Sequence, residues 1–394
     1  MNSLSSETNT QRHKLKFHGT ADTWYGIWLV NLLLSFITFG IYSAWAKVRT
    51  YRYFYGNTEL AGDHFDYHAK PMQILLGRML TIAGIIVFYI CTLLAPTLGG
   101  AMLLAFLALL PWIIVRSWRF EAIMSSYRGV RFNYRCHVGR AYMTFLVWPV
   151  LAYLTLFILL SMAYGLVAVT GMQFLAVALV ALFIIPGFVA VNGVLSAVQH
   201  DLYVNNMFFG NSAFKGVMKK AAFVKFSLIS LLLAVPFIVL IGMLMGALTM
   251  TMVTMSEYGV SDEAMGEMVG ANVSSFLLTY LMMLVWGMMT RAYLTVAHRN
   301  YMFNQTTLND GKISLHSSMK LLPYLWLLFV NALIIFFSAG LATPFAQLRH
   351  ARYMVETLEV EGDIDTLAVQ AHTDTAQSAL AEELVQELDL NVGI

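Results

Sequence analysis

The chain has 394 residues, of which 59% are hydrophobic and 12% charged, with a formal net charge of +2 and a positive mean hydropathy. A soluble domain carries about twice that share of charge, so a soluble globular protein is excluded, and the near-neutral balance offers no broad basic surface for nucleic acid. Uncharged runs of the roughly 20 residues that a helical crossing requires occur near 24–45, 79–115, 141–198, 226–256, 268–290 and 321–348.

Met1–Thr10 is polar and lacks the apolar core of a cleavable signal, so the first apolar segment is expected to stay in the mature protein. Leu15-Lys-Phe17-His-Gly19 reads as an opening strand. The apolar segment 23–46 follows, too short for two crossings, with a turn signal at Thr38-Phe39-Gly40. A basic aromatic helix carrying Arg49 and Arg52 leads into Thr58-Glu-Leu60-Ala-Gly62-Asp-His-Phe65-Asp-Tyr67, where alternation around a glycine signals a β-hairpin. The uncharged stretch between Arg78 and Arg116 accommodates two tight crossings and ends in a second basic aromatic helix with Arg116 and Arg119. A hairpin follows at Ser126–Tyr134. The stretches 141–198 and 226–290 hold two crossings each, separated by a weaker hairpin at Asn205–Phe214. Thr306–Ile313 contains Asn-Asp-Gly, a strong turn signal. The last apolar segment, 321–348, turns at Ser338-Ala339-Gly340 and leads to Arg349 and Arg352. The region 353–394 has ten acidic residues and no Lys or Arg; within it Thr373–Leu390 reads as an amphipathic helix.

These segments repeat. Gly40–Tyr53 returns as Gly340–Tyr353 at a constant offset of 300, which also aligns Asn31 with Asn331 and Gly62-Asp63 with Gly362-Asp363. A third copy lies 67 residues after the first, matching Trp45, Arg49, Arg52 and Gly62 with Trp112, Arg116, Arg119 and Gly129. The expected organisation is a polar tail (1–12), a repeat-built membrane domain (13–352; units beginning near 13, 63, 130, 211 and 312) and an acidic cytoplasmic tail (353–394). Nineteen of the 24 Lys and Arg fall in four segments, 47–78, 116–140, 215–225 and 291–320, which the positive-inside rule places in the cytoplasm with both termini. The fold class that follows is an all-α polytopic membrane protein. It has six transmembrane helices, two re-entrant hairpins and small cytoplasmic β-hairpins in a five-unit array; eight full crossings are the alternative.

Phe17-His-Gly19-Thr, Thr38-Phe-Gly40-Ile-Tyr42, Trp45-Ala46, Arg52-Tyr53, Gly62-Asp-His-Phe65-Asp-Tyr67, Gly129-Val-Arg-Phe132, Arg299-Asn300 and Leu308-Asn-Asp-Gly311 together resemble the YjgN-like bacterial inner-membrane proteins, a domain-of-unknown-function family. The likeness covers about 13–350. It implies the inner membrane of Gram-negative bacteria and carries no reaction, cofactor or substrate.

No Gly-x4-Gly-Lys-Ser/Thr phosphate loop, Gly-x-Ser-x-Gly, His-Glu-x2-His or Cys-x2-Cys occurs, so neither an ATP-driven pump nor an enzyme is expected, and no cofactor. Cys91 and Cys136 belong to no pairing motif. On a strand His64, Asp66 and His68 would share a face, which makes them the one metal-ligand candidate. The aligned Arg131, Asn133 and Arg135 cannot bind metal as a set, which favours a polar outer strand face. No Asp or Glu falls in an expected span, and Arg78, Arg116, Lys225 and Arg291 are assigned to span ends, where snorkelling explains them. Asn31, Asn192 and Asn331 remain inside, either hydrogen-bonding helices together or lining a solute path. Arg49, Arg52, Arg116, Arg119, Arg349 and Arg352, set among aromatics, suit topological anchoring or contacts to anionic lipid. Two functions fit. One is a channel or facilitator for a small solute or lipid. The other is a scaffold recruiting a cytoplasmic protein partner through hairpins and tail.

Overall fold

Each segment with period-two alternation forms a strand, and the strands do not stay apart. The computed structural model describes residues 12–171, 178, 180–257, 266–267, 270 and 272–364. The strands are β1 (Arg12–Lys14), β2 (Lys16–Phe17), β3 (Thr58–Leu60), β4 (Asp63–Tyr67), β5 (Ser125–Tyr127), β6 (Val130–Tyr134), β7 (Met207–Phe209), β8 (Ser212–Gly216), β9 (Thr306–Leu308), β10 (Ile313–Ser317) and β11 (Leu358–Gly362). They form one antiparallel sheet in the order β1-β11-β10-β9-β8-β7-β6-β5-β4-β3-β2. Its two ends, β1 and β2, are separated by Leu15 alone, and the Leu15 N–H donates to the Leu358 carbonyl at 3.1 Å. The sheet therefore closes on itself as a small barrel.

This overturns the all-α expectation with small separate hairpins. An isolated two-stranded hairpin is marginal in water and leaves both edges unpaired. Here each edge is taken up by the neighbouring hairpin, for example Phe65↔Tyr127 and Phe132↔Phe209. Alternation sends one set of side chains inward: Leu15, Leu60, Tyr127, Val130, Phe209, Leu308, Ile313 and Val360 form one buried cluster, backed by Phe65, Phe132, Phe214 and Leu315. Lys16, Glu59, Lys215 and Glu361 point outward, where Lys16 meets Glu59 and Arg12 meets Glu361 across strand pairs. Leu358–Gly362, expected in the acidic tail, is a strand of this barrel. The expected helix Thr373–Leu390 lies outside the described residues.

Every pair of strands is joined by a helical excursion. These are α1 (Ala21–Ile37) with α2 (Ser43–Gly56), and α3 (Pro71–Leu94) with α4 (Pro96–Met124). α5 (Val138–Tyr142) runs through a π-turn, Met143–Val147, into α6 (Trp148–Thr170), and α7 (Ile185–Val204) follows a second π-turn, Val180–Ile184. The last are α8 (Lys220–Glu257) with α9 (Val273–Asn304), and α10 (Leu321–Phe337) with α11 (Thr343–Glu356). Among the described residues six helical stretches are long and apolar enough to cross a membrane: Pro71–Leu94, Pro96–Met124, Val138–Val167, Leu182–Val204, Lys220–Met250 and Val273–Asn304. α1 and α10, at 17 residues, fall short of a crossing and turn back. Both turns use the same backbone: φ is 49° and 87° at Phe39 and Gly40, and 50° and 89° at Ala339 and Gly340. The excursions pack around a ring, α2 on α3, α4 on α5, α7 on α8, α9 on α10 and α11 on α1.

A hydroxyl or amide at the start of each second strand ties down the last turn of the helix before it. Thr58 donates to the Phe54 carbonyl, Ser125 to Glu121, Asn206 to Leu202, Thr306 to Met302 and Thr357 to Tyr353, at 2.6–3.1 Å. These carbonyls have no partner within the helix. A tyrosine clamps the entry of the opposite helix: the Tyr53 hydroxyl bonds both N–H and carbonyl of Thr20, and Tyr353 does the same at Lys320. The pairs are again 300 residues apart.

The barrel makes unequal demands on two aligned glycines. A Cβ at Gly62 (φ 88°) meets open space, whereas at Gly362 (φ 133°) it falls 2.5 Å from the Lys312 carbonyl oxygen. Gly62→Ala should cost about 1–2 kcal/mol through backbone strain alone. Gly362→Ala should cost clearly more, read as the lower melting temperature of the two variants in detergent. Equal melting would show that the Lys312 strand yields.

Candidate functional site

The inward faces of all five strand pairs surround a chamber of about 410 Å³, lined by residues such as Leu60, Phe65, Phe132, Phe214 and Leu315. Its membrane-side wall is built by the last turns of the inward-running helices: Tyr55 of α2, Trp118 and Glu121 of α4, Tyr203 of α7, and Met302 and Phe303 of α9. Trp118 and Tyr203 meet edge to face, with ring centres 5.1 Å apart. Burial, with smaller contributions from Tyr51 and Glu121, pushes Tyr55 up to about 12, so it stays a neutral donor. Glu121 is the single charged residue in a lining otherwise of apolar, aromatic and hydroxyl side chains.

Met302 also lines a second cavity of about 800 Å³, which runs up one side of α9. Two adjacent stripes at helical spacing form its wall: Trp286, Thr290, Leu294, His298 and Met302, and beside them Met283, Gly287, Arg291, Thr295 and Arg299. His200 of α7 faces it, its ring 5.2 Å from that of His298. Trp286 Nε1, Thr290 Oγ1, His298 Nε2 and Arg299 Nε are buried without a hydrogen-bond partner in the chain. The Arg299 guanidinium is otherwise anchored, donating from its terminal nitrogens to the carbonyl oxygen and Sδ of Met354.

The residues singled out in the sequence do not converge. Asn192 bridges helices, accepting from the Tyr153 hydroxyl at 3.0 Å and donating to the Phe188 carbonyl. Asn31 and Asn331 are each 7% exposed; Asn331 donates to the Ala346 carbonyl, and the amide oxygens of both lack partners. None of the three lines either chamber. Arg52 donates to the Tyr67 carbonyl, and less closely to Ala69, while Arg352 donates to Gly19, in both cases the start of the next unit. These two arginines pin neighbouring units together. Arg116 lies over the Trp112 ring, and Arg49 and Arg119 are exposed. Arg349 is half-buried.

Among the described residues no three of His, Cys, Asp and Glu gather to hold a metal. His68 bonds Ser126 and His64 packs near His18. His18 in turn contacts Glu59 at 2.5 Å, and that hydrogen bond holds the Glu59 carboxyl below its usual range.

The sequence alone does not disclose the polar wall of α9, because Arg291, at the edge of an uncharged run, reads as a span end. α9 continues to Asn304, so Arg291 stands about 20 Å from the helix's barrel end at 1.5 Å per residue. The available signal was the i, i+4 series Arg291, Thr295, Arg299 beside Thr290 and His298.

A closed strand ring carrying six helices of membrane-crossing length defines a multi-pass membrane protein. The chain belongs to the family described as bacterial protein of unknown function DUF898, which matches residues 12–387. It is 30% identical over 373 residues to inner membrane protein YjgN of Salmonella typhimurium (strain LT2), covering 93% of each chain. Proteins of the same name from Escherichia coli O157:H7 and K12 are 27% and 25% identical, again over 93% of each chain. No solved structure matches. The protein is accordingly an inner-membrane protein.

The asparagines separate in a stability test. Replacing a buried group that lacks a partner by an apolar one of similar size is near neutral or stabilising, whereas leaving a buried donor without its acceptor costs about 1–3 kcal/mol, less for a hydroxyl that is half-buried as Tyr153 is. Asn31→Leu should leave melting unchanged or raise it, and Asn192→Leu should lower it by removing the acceptor of Tyr153. The reverse order would mean that the Asn31 amide holds the fold.

Proposed function

We propose that the protein is a channel or facilitator for a small solute or lipid, with its route along the axis of the helix ring. One observation carries this reading: the apolar barrel chamber and the polar cavity on α9 meet at a shared wall, Met302. Two stacked cavities of unlike polarity suit a permeant that moves from a hydrogen-bonding site to an apolar one. The barrel's packed interior acts as a hydrophobic constriction, which gates by excluding water. Met302 is suited to the junction because an unbranched thioether changes rotamer at little cost. Transport on this reading is not driven by ATP bound to this chain, which has no phosphate loop.

The barrel and both termini are assigned to the cytoplasm. The support is the distribution of charge, with Lys16, Arg131, Lys215 and Lys312 on or beside the strands and no Lys or Arg in the α3–α4 turn. In a chain with Cys91 and Cys136 replaced by Ser, Thr97→Cys in that turn should react with an impermeant thiol reagent on spheroplasts, while Asp66→Cys on the barrel's outer face should stay protected until permeabilisation. The opposite labelling would overturn the orientation.

Flux decides the function. Proteoliposomes should release glycerol or inorganic phosphate, or equilibrate a fluorescent phospholipid between leaflets, faster than empty vesicles. Met302→Trp should slow that by several-fold. No acceleration of any of the three would leave the scaffold role, through barrel and tail, as the better reading.

A further inference from the structure

Among the described residues the upper cavity collects positive charge and donors with nothing of opposite sign. Arg291 and Arg299 stand two turns apart on one face of α9, with His200 and His298 beside them, and no described Asp or Glu lines the cavity. Among the described residues neither arginine takes part in a salt bridge with a carboxylate. Among the described residues Tyr324 of α10 and His350 and Tyr353 of α11 are the other titratable groups within electrostatic reach, and phenols and imidazoles supply no negative charge near neutral pH. Between and beside the arginines, the Trp286 indole N–H and Thr290 hydroxyl are buried without partners, as is the Arg299 Nε–H. Indole and guanidinium nitrogens only donate.

Cations within a membrane-spanning helix are costly and as a rule are paired. Buried donors left unmade cost about 1–3 kcal/mol each. Three such donors and two guanidinium groups on one wall have a common solution, an anion with several acceptor oxygens. Guanidinium matches phosphate and carboxylate because its planar fork makes paired hydrogen bonds. We infer that the cavity on α9 is a binding site for a phosphate or carboxylate group, held by Arg291 and Arg299 and oriented by Trp286 and Thr290. The group is carried either by a lipid headgroup or by a free solute. This gives the proposed route its substrate class, and the site is tested without transport.

The full-length protein in dodecyl maltoside is titrated calorimetrically with dodecyl phosphate, inorganic phosphate and, as a control of opposite charge, dodecyltrimethylammonium. Dodecyl phosphate should bind and the ammonium should not. Arg291→Gln is the primary variant, because Arg291 is exposed to the cavity and makes no hydrogen bond to the rest of the chain, so its melting temperature without ligand should match the wild type. Affinity should fall at least tenfold in Arg291→Gln and less in Arg291→Lys, which keeps the charge but not the fork. Trp286→Phe, which removes one donor and little volume, should weaken binding several-fold and keeps the test open should Arg291→Gln fail to fold. Binding of dodecyl phosphate alone assigns the site to a lipid headgroup, and binding of inorganic phosphate as well assigns it to a free solute. Failure of both to bind, or equal affinity in wild type and Arg291→Gln, would overturn the inference. Retained Arg291-dependent binding with no flux would sink the facilitator reading and leave the site standing; flux without such binding would do the reverse.

Discussion

Backbone pairing between successive units governs this molecule. A two-stranded ribbon has two open edges, and no unit here has a third strand with which to cover them. Each borrows its neighbour's strand, so β4 pairs β5 within a unit and β3 across the boundary. Once every unit does this, the only arrangement without an open edge is a ring, and the helical excursions, fixed at both ends to that ring, must stand around it. The hydroxyl and amide caps from Thr58 to Thr357 and the tyrosine clamps at Thr20 and Lys320 then set the angle at which each helix leaves the sheet. The membrane body inherits its order from hydrogen bonds that lie outside the apolar layer.

That explains what was legible in the residues and what was not. Gly62 and Asn309-Asp310-Gly311 announce tight turns, and alternation on either side announces the strands, because both signals are local. Even the weak Asn205–Phe214 stretch pairs in full, Phe208↔Ala213 and Phe209↔Ser212. Closure is different in kind. Its decisive contact joins Leu15 to Leu358, and strands of two to five residues carry too little pattern to name their partners. Alternation shows that Leu60 and Phe65 share a face; it does not show that the face is the inside of a barrel.

The chambers were hidden for a related reason. The lower one is assembled from a few residues of every unit, so no local stretch spells it out. The upper one lies along a single helix, and its arginine at the edge of an uncharged run has the same pattern as the end of a crossing. In α9 the helix runs on past Arg291 to reach the barrel. Asn31 and Asn331 drew attention as the polar centres of apolar runs, yet they sit in the short hairpins, away from both cavities, whereas the residues that line the axis belong to the long helices' final turns.

Because β1 and β11 close the ring, the first strand to leave the ribosome is paired on one side by the last. Leu15 must wait through 343 further residues for the carbonyl of Leu358, roughly 17 to 70 s at synthesis rates of about 5–20 residues per second. During that interval the nascent barrel is an open sheet with an unpaired edge. Assembly therefore has an order imposed by geometry: units can be threaded into the membrane one by one, and the second and third gain both neighbours early, but the first and fourth each lack one until the fifth arrives. A chain truncated before Leu358 would be left with an exposed seam, a feature by which quality control can tell an unfinished molecule from a finished one.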